Sequence, residues 1–178
     1  YSGGICGYRA GRNGICNINY CWNTGDIGMD CGGICGQQVG YDGECNIKYC
    51  YNTGNLTQSN SCGICHTYAA DGGGKLTIFN CFNTGSGNGT GQYSIIGTNA
   101  GRGGGTIHIY NCWSDGAELN VAITDNVRGT DYGDLENALE IIVKNCYILN
   151  STTTLITDAN NNLTVENIYT NAGTVWND

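Results

Sequence analysis

The chain has 178 residues, with 30 glycines, no proline, 12 cysteines and a net charge of −8. Seven basic residues form no stripe that would follow a nucleic-acid backbone. No apolar run approaches the roughly 18 residues of a membrane-spanning helix, so neither nucleic-acid binding nor membrane insertion is expected.

Taken in order, the chain alternates two signatures. GGICG at 3–7 leads to CNINYC-W-NTG at 16–25, and GGICG at 32–36 leads to CNIKYC-Y-NTG at 45–54. CGICH at 62–66 then precedes LTIFNC-F-NTG at 76–85, and SIIG at 94–97 precedes IHIYNC-W-SDG at 107–116. Two weaker copies follow, IIVKNC-Y at 141–147 and LTVENI-Y at 163–169. The reference cysteine steps through 21, 50, 81, 112 and 146, with Ile168 in the sixth slot. Self-similarity at about 30 residues is the mark of a repeat architecture.

Within each longer signature the apolar residues alternate, as in Cys16 and Ile18 or Leu76 and Ile78, which is strand period. The next inward residue, Cys21 or its equivalent, comes three positions later, so a bend or bulge is expected between Ile18 and Cys21. The NTG triplet is expected to turn, with Asn tolerating left-handed backbone and Gly supplying positive φ. GGICG reads as a second short buried strand.

The expected fold is all-β: a β-solenoid, specifically a right-handed parallel β-helix of about six coils of ~30 residues. The chain is read as a single domain. Residues 1–116 are regular repeats, 117–140 an acidic insertion, and 141–178 degenerate coils or a cap. The insertion is expected to be a short helical or loop excursion, with 134–140 as a capped helix. Opening on Tyr1 in mid-repeat reads as a processed chain or a fragment.

Stacked coils turn equal positions into ladders. One is the cysteine series above. Beside it runs an aromatic ladder of Trp22, Tyr51, Phe82, Trp113, Tyr147 and Tyr169, a candidate binding strip if it faces outward. Asn80, Asn111, Asn145 and Asn167 form another, expected to hydrogen-bond from rung to rung.

This frame resembles the GLUG-type repeat over roughly residues 3–116. The resemblance implies a stalk or display module of the kind found in bacterial surface proteins and adhesins. The cysteine enrichment is similar to cysteine-rich repeats of large amoeba-infecting DNA viruses.

The even, dense cysteine set suggests an oxidising compartment. Disulfide candidates are Cys6, Cys16, Cys21, Cys31, Cys35, Cys45, Cys50, Cys62, Cys65, Cys81, Cys112 and Cys146. One complete pairing is Cys6–Cys21, Cys35–Cys50, Cys65–Cys81, Cys16–Cys31, Cys45–Cys62 and Cys112–Cys146. Pairing between neighbouring rungs is its rival, and free thiols packed as small hydrophobes are the third reading. Cys62-Gly-Ile-Cys65-His66 is the one CxxC, without a second half for a zinc site. Sequons at Asn55, Asn88, Asn150 and Asn162 are glycosylation candidates.

Solenoid enzymes acting on polysaccharides need converging carboxylates, and no acid repeats at coil spacing here. Residues 125–134 lack the spacing of a calcium loop. The threonines of the NTG turns make too short a row for ice binding. No catalytic residue, metal or cofactor is therefore assigned. The expected function is a rigid structural or surface-display module, fibre-forming by end-to-end self-association, glycosylated, and extracellular, on a cell surface or on a virion. The first alternative is a carbohydrate- or receptor-binding adhesin module, and the second is a polysaccharide-active enzyme.

Overall fold

The computed structural model describes residues 1–87, 91–115, 140–149 and 163–170. The described residues form an all-β solenoid built on two six-stranded parallel sheets and contain no α-helix. The first sheet runs, in spatial order, through β1 (Ile15–Asn19), β3 (Glu44–Lys48), β5 (Lys75–Phe79), β7 (Thr106–Tyr110), β9 (Glu140–Lys144) and β11 (Leu163–Glu166). The second stacks β2 (Trp22–Asn23), β4 (Tyr51–Asn52), β6 (Phe82–Asn83), β8 (Trp113–Ser114), β10 (Tyr147–Ile148) and β12 (Tyr169–Thr170).

Register follows the repeat. Ile18 pairs with Ile47, Ile47 with Ile78, Ile78 with Ile109, and Ile109 with Val143. Trp22, Tyr51, Phe82, Trp113, Tyr147 and Tyr169 pair in series on the second sheet. A parallel sheet slipped by one residue would turn every inward side chain outward, so the buried isoleucines hold this alignment. Each contributes about 1.5–3 kcal/mol by burial.

The GGICG segments form a third wall through single parallel bridges, Gly3 to Gly32 to Cys62 to Tyr93 and Cys6 to Cys35 to Cys65 to Ile96. Ile34, Ile64 and Ile95 are fully buried behind it. A further ladder joins Ile27, Leu56 and Gly87. Turns complete with all these ladders number about three, and the two sheets continue past them.

The expected bend lies one residue before the reference cysteine. Tyr20, Tyr49, Asn80, Asn111, Asn145 and Asn167 all take φ between 52° and 56°. The NTG reading needs correcting. Its asparagine sits in a strand, and Gly54 does not adopt positive φ. Gly54 is required for another reason: a Cβ there would lie 1.9 Å from the Gly25 carbonyl oxygen of the coil before.

One boundary also moves. Strand β9 begins at Glu140, so Glu140 belongs to the sheet and not to a helix. The rest of the acidic insertion, the 125–134 segment, and Asn88, Asn150 and Asn162 lie outside the described residues.

Candidate functional site

The reference cysteines stand in a column at the corner between the sheets. Each Sγ donates to the carbonyl two residues earlier: Cys21 to Asn19 at 3.3 Å, Cys50 to Lys48 at 3.2 Å, Cys81 to Phe79 at 3.4 Å, Cys112 to Tyr110 at 3.3 Å and Cys146 to Lys144 at 3.3 Å. The same geometry on every rung stacks these thiols in line, one for each of the first five strands of the first sheet.

Neighbouring thiols perturb one another. Hydrogen bonding to Cys81 lowers the Cys50 thiol to about 7. Hydrogen bonding to Cys112 likewise lowers Cys146, while burial pushes Cys112 well up.

A second thiol group lies across the core. Burial, reinforced by the Cys45 and Cys6 thiols, pushes Cys16 up to about 12. Hydrogen bonding to Cys45, with burial, pushes Cys35 well up. Burial does the same to Cys62 and Cys65.

All twelve cysteines carry free thiols in the structure, so the expected disulfide framework is not formed in it. Of the complete pairing set out above, Cys112 and Cys146 are brought together as neighbouring thiols, and they stand on successive rungs. The other neighbouring thiols are Cys21 with Cys50, Cys50 with Cys81, Cys16 with Cys6 and Cys45, and Cys35 with Cys45. Several of these contacts run between rungs because parallel in-register stacking superposes equal residues. Sequence spacing alone cannot separate that arrangement from pairing within a coil.

The aromatic ladder stacks as a column. Ring centroids are 6.1 Å apart for Trp22 and Tyr51, 4.7 Å for Tyr51 and Phe82, and 4.9 Å for Phe82 and Trp113, with planes within 21° of parallel. Stacking turns ring faces toward one another, so the side of the column presents ring edges. A second stacked pair, Tyr20 and Tyr49, has centroids 4.9 Å apart. These two tyrosines occupy the left-handed slot that asparagine fills on later rungs, a costly conformation for a bulky side chain.

Of the asparagine ladder expected at Asn80, Asn111, Asn145 and Asn167, the last three are joined by amide bonds of 3.3 and 2.9 Å, while Asn80 does not bond Asn111 through its side chain. A further ladder, not anticipated, uses the asparagine of the NTG triplet. Asn23 donates to Asn52 and Asn52 to Asn83, each at 2.7 Å.

Both ring nitrogens of His66 are engaged by protein atoms. Its Nε2 donates to the Asn60 carbonyl, and its Nδ1 bonds Thr67 Oγ1 at 3.1 Å. Among the described residues no group of three or more His, Cys, Asp or Glu is arranged to hold a metal ion.

Burial holds the His66 pKa below its usual value. The unfolded chain therefore takes up a proton before the folded one, and stability falls as pH drops through about 6.5 toward the folded value. His66→Gln is expected to flatten the decline in melting temperature between about pH 7 and 5. An unchanged pH profile in that variant would show that His66 is not its source.

The loops joining the GGICG wall to the first sheet carry a polar–aromatic network that the sequence did not reveal. Arg9, Gln38, Tyr68 and Asn99 share one slot, each with φ of 57–59°. Arg12, Tyr41, Asp71 and Arg102 share the next, and their rungs are joined by Asn13 N to Tyr41 O, Asp42 N to Asp71 O and Gly72 N to Arg102 O.

Side chains cross between the slots. Arg9 Nε donates to Gln38 Oε1 at 2.8 Å, and Gln38 Nε2 to Asp71 Oδ2 at 3.4 Å. The buried Asp71 carboxylate takes two bonds from Arg102, at 3.3 and 3.2 Å. Arg102 also lies over Tyr68, Arg9 over both Tyr8 and Tyr41, and Arg12 over Tyr41, at 4.8–5.5 Å.

Comparison of the chain with family models, curated proteins and solved structures finds no match.

Proposed function

We propose that the chain is a rigid display module of the GLUG type, a right-handed solenoid of about six coils without catalytic activity, working at a cell or virion surface. The observation that carries this reading is the in-register pairing of two six-stranded sheets along the described chain. Every rung repeats the same backbone ladder, so bending the rod strains many bonds at once.

End-to-end association completes the proposal. Strands β1 and β2 are edge strands, and an unpaired edge is a template for another chain. Size-exclusion chromatography is expected to show concentration-dependent growth, and a monomer at every concentration counts against association. Asn55 is exposed and is the glycosylation candidate among the described residues.

Localisation is tested by intact mass before and after reduction and alkylation on natively produced protein. Rung spacing falls within disulfide reach, so blocked cysteines with added sugar mass are expected. Twelve free thiols without sugar would overturn the extracellular assignment.

A second reading, a carbohydrate- or receptor-binding adhesin, is supported by the exposure of Tyr20 (70%) and Trp22 (58%) on the first rung. Glycan-array binding lost on Trp22→Ala and Trp113→Ala would favour it.

A further inference from the structure

The loop face is the most chemically distinctive surface of the described chain. Three of the seven basic residues of an acidic protein, Arg9, Arg12 and Arg102, gather on it. They are not equivalent. Arg102 is neutralised by the buried Asp71 carboxylate. Among the described residues no carboxylate forms an ion pair with Arg9 or Arg12.

Those two guanidinium groups are instead positioned by aromatic rings, both within 5.5 Å of the centre of Tyr41. Arg9 is fixed further by its bond to Gln38, which uses Nε and leaves the terminal amines to donate elsewhere. Arg12 is exposed, as is Tyr8 beside Arg9. Arg9 keeps this place although φ of 59° is unfavourable for a long side chain.

An arginine held in place by stacking loses less side-chain freedom when it binds, and its planar fork fits a carboxylate with two parallel hydrogen bonds. A net charge of −8 disfavours long, densely charged polyanions. A short ligand with one carboxylate per ring carries fewer charges against that field and adds an apolar ring face for packing.

We propose that this face binds a carboxylate-bearing glycan, with the forks of Arg9 and Arg12 taking uronate carboxylates and Tyr8 packing against a sugar ring. The proposal rests on the display-module reading, to which it adds what is displayed.

The test is isothermal titration of the whole chain with an unbranched oligogalacturonate and with a neutral galactan of equal length. Binding of the acidic glycan alone, weakened by salt, is expected. Arg12→Gln is expected to weaken it about tenfold, and Arg12→Lys to restore it only in part, because the point charge returns without the fork. Met29→Ala, at an exposed side chain outside this face, is expected to leave it unchanged. Circular dichroism verifies that each variant stays folded.

No binding, equal binding by Arg12→Gln, or tighter binding of a nucleic acid or sulfated glycan would overturn the assignment. Glycan binding by a protein found in the cytosol would sink the surface module and keep the site. A surface protein that ignores the glycan would do the reverse.

Discussion

Asn52→Ala is expected to lower the free energy of unfolding by about 3–5 kcal/mol. The Asn52 amide is fully buried and makes four hydrogen bonds. It donates to the Gly54 carbonyl at 2.8 Å and to Asn83 Oδ1 at 2.7 Å, and accepts from Asn23 Nδ2 at 2.7 Å and the Gly54 amide at 3.2 Å. Truncation leaves these buried groups without partners, and each costs about 1–3 kcal/mol.

Asn52→Ser is expected to lose less. Ser114 already occupies the equivalent slot on the fourth rung, where it bonds Ser94. Urea unfolding of the two variants checks both magnitudes. An alanine variant within about 0.5 kcal/mol of the parent would show that the ladder adds no net stability.

The second large effect is expected at Gly63. A Cβ there meets the Ser94 carbonyl oxygen at 2.3 Å and the Asn83 Cγ at 2.4 Å. The first contact is backbone of the next rung, so relief requires the rungs to part. Gly63→Ala is expected to cost about 3 kcal/mol or more, the upper range for overpacking.

Gly28 supplies the contrast, since a Cβ there meets nothing within 4 Å. Gly28→Ala is expected to be neutral or to stabilise by a few tenths of a kcal/mol, because alanine restricts the unfolded chain. Thermal unfolding of both variants separates close rung approach from glycine flexibility as the reason for the repeat's composition.

Period and spacing made much of this molecule readable in advance. The alternation at Cys16 and Ile18, repeated at Leu76 and Ile78, is a local property of the chain. So is the extra residue before Cys21, which became the left-handed slot. Stacking equal positions then placed Trp22 over Tyr51 and Asn145 over Asn111 with no further information.

What was not readable depends on how deep each turn sits. The asparagine of NTG has the composition of a surface turn, yet its amide is buried between rungs and its glycine serves close packing. Thiol neighbours across the core, such as Cys35 and Cys45, come from different walls, and their meeting depends on the cross-section of the coil. The loop network was hidden for a similar reason. Arg12, Tyr41, Asp71 and Arg102 are four unlike residues, and only their shared slot in the stack makes them one surface.

The central claim is parallel, in-register stacking of equal positions along one rod. Nuclear Overhauser contacts between aromatic rings test it most directly. The account predicts contacts joining Trp22 to Tyr51, Tyr51 to Phe82 and Phe82 to Trp113, with none between Trp22 and Trp113. Contacts that skip or reverse this order, or aromatic signals averaged as in an unfolded chain, would contradict it.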